Sequence, residues 1–183
     1  MTATILTLPN EFPLVFAFRV MLTITILALL VWMSSVLYKK GIVDKVQRNT
    51  MMILSSYVML MLYHTVIGRY SQTYYRYDGE IFSVFKSLAE SFTMAEFLHL
   101  VINLSMMIPV SFMLMIILRV PYRILWVFDT TVALVLLIEL LQFFTRAGTL
   151  QFDDILCNTV GTVIGIIIFY IAKFIYKRNK NYG

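Results

Sequence analysis

The chain has 183 residues, of which 60% are hydrophobic and only 14% charged. A soluble domain of this size carries roughly a quarter charged residues and has a large surface to cover with them, so the composition excludes a water-soluble globule. The net charge of +5 is spread between apolar runs instead of clustering, and no nucleic-acid partner is expected.

Five uncharged or nearly uncharged runs reach the length of about 18 residues that a helix needs to cross hydrocarbon. In chain order they are Val20–Tyr38, Thr50–Gly68, Phe97–Leu118, Ile124–Thr145 and Ile155–Ala172. Only the fourth is interrupted by acidic residues, Asp129 and Glu139. The first run follows Glu11 and Arg19, ends on Lys39-Lys40 and has no small-x-small cleavage site, so it reads as a span and not as a signal peptide.

The loops orient the spans. Lys39, Lys40, Lys45, Arg48, Arg119, Arg123, Lys173, Lys177, Arg178 and Lys180 fall on one side with Asp44 and Asp129. Arg19, Arg69, Arg76, Lys86 and Arg146 fall on the other, with eight acidic residues. The positive-inside rule makes the first side cytoplasmic, with the N-terminus outside and the C-terminus inside.

The longest outer connection, Arg69–Glu96, carries Tyr70, Tyr74, Tyr75 and Tyr77, which suit the headgroup belt. Ile81, Phe82, Phe85, Leu88, Ala89 and Phe92 then recur with helical spacing. Glu80–Phe92 therefore reads as an amphipathic helix, lying in the outer interface or, as the alternative, covering a site. The fold expected is all-α: a polytopic membrane bundle of five transmembrane helices plus this interfacial helix. Residues 1–49 form an extra N-terminal span and loop, 50–175 a four-helix domain, and 176–183 a basic tail.

Polar side chains inside a membrane are costly, and each is a functional pointer. Arg69 closes the second span. Glu96, His99 and Asn103 share one face of the third, and Glu139, Gln142 and Arg146 share one face of the fourth. Asp153, Asp154 and Asn158 open the fifth. At about 1.5 Å per residue, Asn103, Glu139 and Asn158 lie roughly 6–10 Å inside the outer boundary, so four helices place polar groups in one layer. Ties fixing helix register, worth about 1 kcal/mol each, are the structural alternative. The number of groups in the layer favours a ligand site.

No metal or other cofactor is expected. Glu96-x-x-His99 supplies one carboxylate–histidine pair where a di-iron bundle needs two, and His64 is the one further candidate ligand nearby. The single cysteine, Cys157, rules out an internal disulfide. Gly161-x-x-x-Gly165 permits close helix approach within the bundle or, as the alternative, in a dimer, and Pro109 is expected to kink the third span because it removes one backbone hydrogen bond.

Glu139-Leu-Leu-Gln142, Arg146, Asp153-Asp154, Asn158-Thr159, Gly161 and Gly165 resemble the C-terminal signature of the VanZ-like family. Asn103-Leu-Ser-Met-Met-Ile-Pro109 resembles its asparagine–proline element, and Arg69 matches the arginine that ends its first core helix. The resemblance covers roughly Thr50–Ile175. Ser105, Met106, Met107 and Ser111 depart from the family's aliphatic, phenylalanine and glycine residues. The resemblance implies a multi-pass protein of the bacterial cell membrane, associated with resistance to teicoplanin, an acyl-tailed glycopeptide that targets peptidoglycan precursor at the outer surface.

Three functions follow as expectations. The first is binding of a membrane lipid, a lipid-linked cell-wall precursor or the lipoglycopeptide itself by Arg69, His99, Asn103, Glu139, Gln142, Arg146, Asp153, Asp154 and Asn158. The second is an enzyme modifying an envelope lipid, with Glu139 and Asp154 as acid–base groups. The third is a small transporter or accessory subunit. The oligomeric state is left open.

Overall fold

Apolar runs become helices here, and capping residues decide where each one starts and stops. The computed structural model describes residues 12–67, 69 and 74–181. Gly68 and Tyr70 lie outside the described residues. Five of its helices are long and apolar enough to cross a membrane: α1 (Phe12–Lys39), α2 (Lys45–Leu62), α4 (Met94–Ile117), α5 (Arg123–Phe144) and α6 (Phe152–Asn181). A short helix, α3 (Ser83–Glu90), and two three-residue strands, β1 (Arg76–Asp78) and β2 (Thr149–Gln151), complete the chain. The protein is a helical membrane bundle.

The helices outrun the apolar windows because hydropathy stops at the first charge and a helix need not. α6 continues through Lys173, Lys177 and Arg178 to Asn181, where cations face the negative end of the helix dipole. α1 ends in a Schellman turn: Ile42 N–H donates to Leu37 O and Gly41 N–H to Tyr38 O, with Gly41 at φ 70°. Asp44 then opens α2 with a capping box, accepting from Gln47 N–H at 2.8 Å while Gln47 Oε1 accepts from Asp44 N–H at 3.0 Å. Gln47 Nε2 also reaches Ile117 O at 2.7 Å, so the start of α2 caps the end of α4.

Asp44 also pairs with Arg119 at 2.7 Å. The Gln47 N–H, and then Arg119, hold its carboxyl below the usual carboxylate value. Because the folded-state value is depressed, the stabilisation is present at neutral pH and lost as pH falls through that value. The melting-temperature gap between wild type and Asp44→Ala should therefore shrink on acidification below the usual Asp value of about 4. A gap independent of pH contradicts this.

α4 sits at the centre. Met61, Met107, Val110, Val135 and Ile138 form the main core, with Tyr57, Val58 and Leu134 against it. A second cluster of Met115, Val127 and Ile166 fills the Asp44 end of the bundle. α6 comes close to α4 through its glycines: a Cβ at Gly161 would collide with the carbonyl of Leu104, and one at Gly165 with the carbonyl of Ile108 and with Ser111 Oγ. α4 runs unbroken through Pro109. By contrast, α1 leaves Phe18, Met21, Leu29 and Trp32 exposed, a surface suited to lipid.

The Arg69 end differs from the sequence expectation in two respects. The amphipathic helix is shorter than Glu80–Phe92, because Phe82 sits at φ 66° and the chain breaks at Ser91 before Thr93 caps α4. In addition, β1 and β2 pair in parallel, Arg76 against Thr149 and Asp78 against Gln151. This pairing ties the 69–96 connection to the turn between α5 and α6. Three-residue strands that pair 73 residues apart in sequence, Arg76 with Thr149, leave no periodicity to read.

Candidate functional site

Beyond the core, at the Arg69 end, the bundle encloses a cavity of about 720 Å³. Its floor is apolar: Tyr57, Met61, Met106, Met107, Val135 and Ile138. Its upper wall is polar, from Arg69, His99, Asn103, Glu139, Gln142, Asp154 and Asn158. Seven of the nine residues expected to bind ligand are thus brought together. Arg146 and Asp153 are not among the described lining residues.

α2 shapes the first wall. Its last turn widens into a π-helix over Tyr63–Ile67, the irregular form that often marks functional sites. Arg69 follows, its Nε donating to His64 O at 3.3 Å. α5 supplies Gln142, whose Nε2 reaches Thr65 O at 3.3 Å, and Glu139, which is 3% exposed. The Glu139 carboxylate accepts from the backbone N–H of Gln151 and interacts with both Asp154 and Arg69.

The opposite wall joins α4 to α6. Asn103 Nδ2 donates to Asp154 Oδ1 at 2.5 Å, and His99 Nδ1 lies 3.6 Å from the same oxygen. Asn158 Nδ2 turns back to the carbonyl of Asp154 at 2.8 Å. Among the described residues, two buried polar atoms of the cavity's lining side chains have no hydrogen-bond partner: Glu139 Oε2 and Asn158 Oδ1. Groups placed only to fix helix register would satisfy each other.

Asp153 performs a different task. Its carboxylate accepts from Phe82 N–H at 2.6 Å and Val84 N–H at 2.8 Å, and so caps α3 from the first turn of α6. Replacing it with Ala should release Ser83–Glu90, seen as faster amide exchange there, while Asn103 and Asp154 stay paired. Unchanged exchange over that segment overturns the capping role.

Arg146 is a strap. It occupies the left-handed region at φ 55°, in a Schellman turn closed by Ala147 N–H to Gln142 O at 2.8 Å, where glycine is usual. Its guanidinium lies 4.5 Å from the Tyr75 ring centroid and ties Tyr75 to the end of α5.

Glu96 is also turned away from the cavity. It accepts from Thr93 Oγ1 at 2.7 Å and Ser87 Oγ at 3.0 Å, which separates it from His99. Among the described residues no three His, Cys, Asp or Glu side chains converge as metal ligands do.

Residues outside the predicted set complete the cavity. The N–H of Gln151 and the carbonyl of Thr65 are backbone groups, which carry no residue signature. Gly148 did carry one: a Cβ there would stand 3.3 Å from Gln142 Oε1 and 3.5 Å from Arg69 Nη1. Tyr57 donates to Met106 O at 3.0 Å, closing the floor between α2 and α4.

The chain has no significant match among curated proteins or solved structures. The family model described as VanZ/LLP1 matches residues 18–173, which takes in α1 as well as the four spans that build the cavity. This polar-capped membrane bundle belongs to the VanZ/LLP1 family.

Proposed function

We propose that the protein binds the headgroup of a membrane lipid, or of a lipid-linked envelope precursor, in the cavity. One observation carries this reading: the cavity opens sideways. Leu60 on α2 and Ile102 on α4 line it and yet are 56% and 53% exposed, with His64 and His99 beside them. An entrance edged by exposed apolar residues between two spans suits a ligand whose tail stays in the bilayer. The apolar floor and polar wall match the two ends of such a ligand.

The orientation rests on the loop charges. The Asp44 end carries the ten basic residues of the first set and faces the cytoplasm by the positive-inside rule, so the cavity faces outward in a bacterial cell membrane. The exposed rings of Phe82, Phe85 and Phe92 anchor the α3 region in the outer interface. Holding a headgroup there would change the access of acyl-tailed glycopeptides such as teicoplanin to their precursor, which links the site to the resistance implied by the family.

The protein purified with its native lipids should retain a defined lipid, identified by mass spectrometry. Asp154→Ala at normal abundance should lose both that lipid and any teicoplanin resistance the wild type confers. Retained lipid and unchanged resistance overturn the reading. The free oxygen of Glu139 beside Asp154 also supports a second reading, acid–base modification of an envelope lipid. Envelope lipid profiles that differ with and without the protein would favour it.

A further inference from the structure

The unpartnered atoms specify what a ligand of this cavity must offer. Glu139 Oε2 and Asn158 Oδ1 belong to side chains 3% and 5% exposed, and both side chains line the cavity. Leaving such an atom without a hydrogen bond costs about 1–3 kcal/mol. The amide of Asn158 cannot be flipped to remove the problem. Its Nδ2 donates to the Asp154 carbonyl, and the flipped amide would set its oxygen against that carbonyl oxygen, two acceptors in contact. The Glu139 carboxylate already accepts from Gln151 N–H. With Glu139 ionised, both unpartnered oxygens are acceptors, and a ligand that meets them must donate.

Charge narrows the choice. The lining holds two carboxylates, Glu139 and Asp154, one guanidinium, Arg69, and two imidazoles, His64 and His99. Arg69 interacts with both carboxylates, while Arg146 lies over Tyr75. A phosphate alone would bring further negative charge toward the two carboxylates and fill neither acceptor. A neutral polyol would fill the acceptors and leave the charge uncompensated. A cation carrying N–H donors does both, provided its phosphate reaches Arg69 at the mouth.

Building on the headgroup-binding reading, we propose that the cavity selects a zwitterionic headgroup in which a primary ammonium lies next to a phosphate. The ammonium donates to Glu139 Oε2 and Asn158 Oδ1, and the phosphate rests on Arg69, whose fork suits it. Three common headgroups separate the requirements. Phosphatidylethanolamine has both donor and positive charge. Phosphatidylcholine has the charge without an N–H, and phosphatidylglycerol has hydroxyl donors without the charge.

The test titrates each of these lipids, with identical acyl chains, against the full chain in detergent and counts bound lipid by native mass spectrometry. The ethanolamine lipid should bind about tenfold or more tighter than either of the others, as a charge-assisted hydrogen bond warrants. Glu139→Gln should bring the three within about twofold. Arg69→Gln should weaken all three alike and preserve their order. Equal or tighter binding of the choline lipid overturns the donor requirement, and equal or tighter binding of the glycerol lipid overturns the cation. Each result leaves headgroup binding itself standing, whereas no retained lipid of any kind removes both.

Discussion

Glu139→Gln should bind its ligand about tenfold or more weakly and yet melt no lower than wild type. The two halves of this expectation come from one fact: the side chain is buried and only half satisfied. Its carboxylate takes one backbone N–H from Gln151 and leaves Oε2 empty. Keeping a carboxylate in a site of low polarity costs several kcal/mol unless pairing compensates. Asp154 adds a like charge nearby, and Arg69 offsets this from an exposed position. An isosteric amide retains an acceptor for Gln151 and removes the charge, so the empty protein loses little and can gain. Function is lost because the new –NH2 meets the ligand's donor with another donor. Thermal unfolding in detergent, measured with and without lipid, separates the two effects. A lower melting temperature with binding intact would make Glu139 a structural tie.

Gly161→Leu should prevent recovery of folded protein, and Gly161→Ala should lower stability by about 1–3 kcal/mol, the usual cost of overpacking. The reason is geometric. The Cβ of any other residue at this position points into the carbonyl of Leu104, a backbone group of the central helix that has no rotamer to escape into. Separating α6 from α4 also draws Asp154 away from Asn103, a pair that depends on this close approach. Gly165→Ala should behave similarly, since Ile108 O and Ser111 Oγ occupy the corresponding space. Val163→Leu, on the exposed side of the same helix, is the control and should leave yield and melting temperature unchanged. Wild-type yield for Gly161→Leu would contradict the packing.

The glycine pair illustrates what could be read in advance. Gly161-x-x-x-Gly165 announced a close approach, and the structure identifies α4 as the helix approached. Ser111, a departure from the family pattern, touches the space in front of Gly165 and accounts for part of that fit. Polar residues at helical spacing in apolar runs likewise announced a layer, because water-free surroundings allow few other uses for them. Asp153 and Asp154 were indistinguishable as letters. Adjacent positions on a helix point about 100° apart, so one faces the cavity and the other caps α3. Arg146 pointed to a ligand by its charge, but a left-handed backbone and the ring of Tyr75, just before β1, decide where its side chain goes. The β1–β2 pair had no signal at all, since its hydrogen bonds are made by the main chain.

The side opening between Leu60 and Ile102 has a kinetic and thermodynamic consequence. A molecule entering there is drawn from a two-dimensional fluid, so occupancy follows its mole fraction in the leaflet and not its solubility in water. A lipid making up about a tenth of its neighbours needs a roughly ninefold preference over the rest to hold half of the sites. Under the proposed headgroup binding, selectivity among headgroups, more than raw affinity, then determines what the protein carries. A change in membrane composition would alter its bound state without any change in the amount of protein.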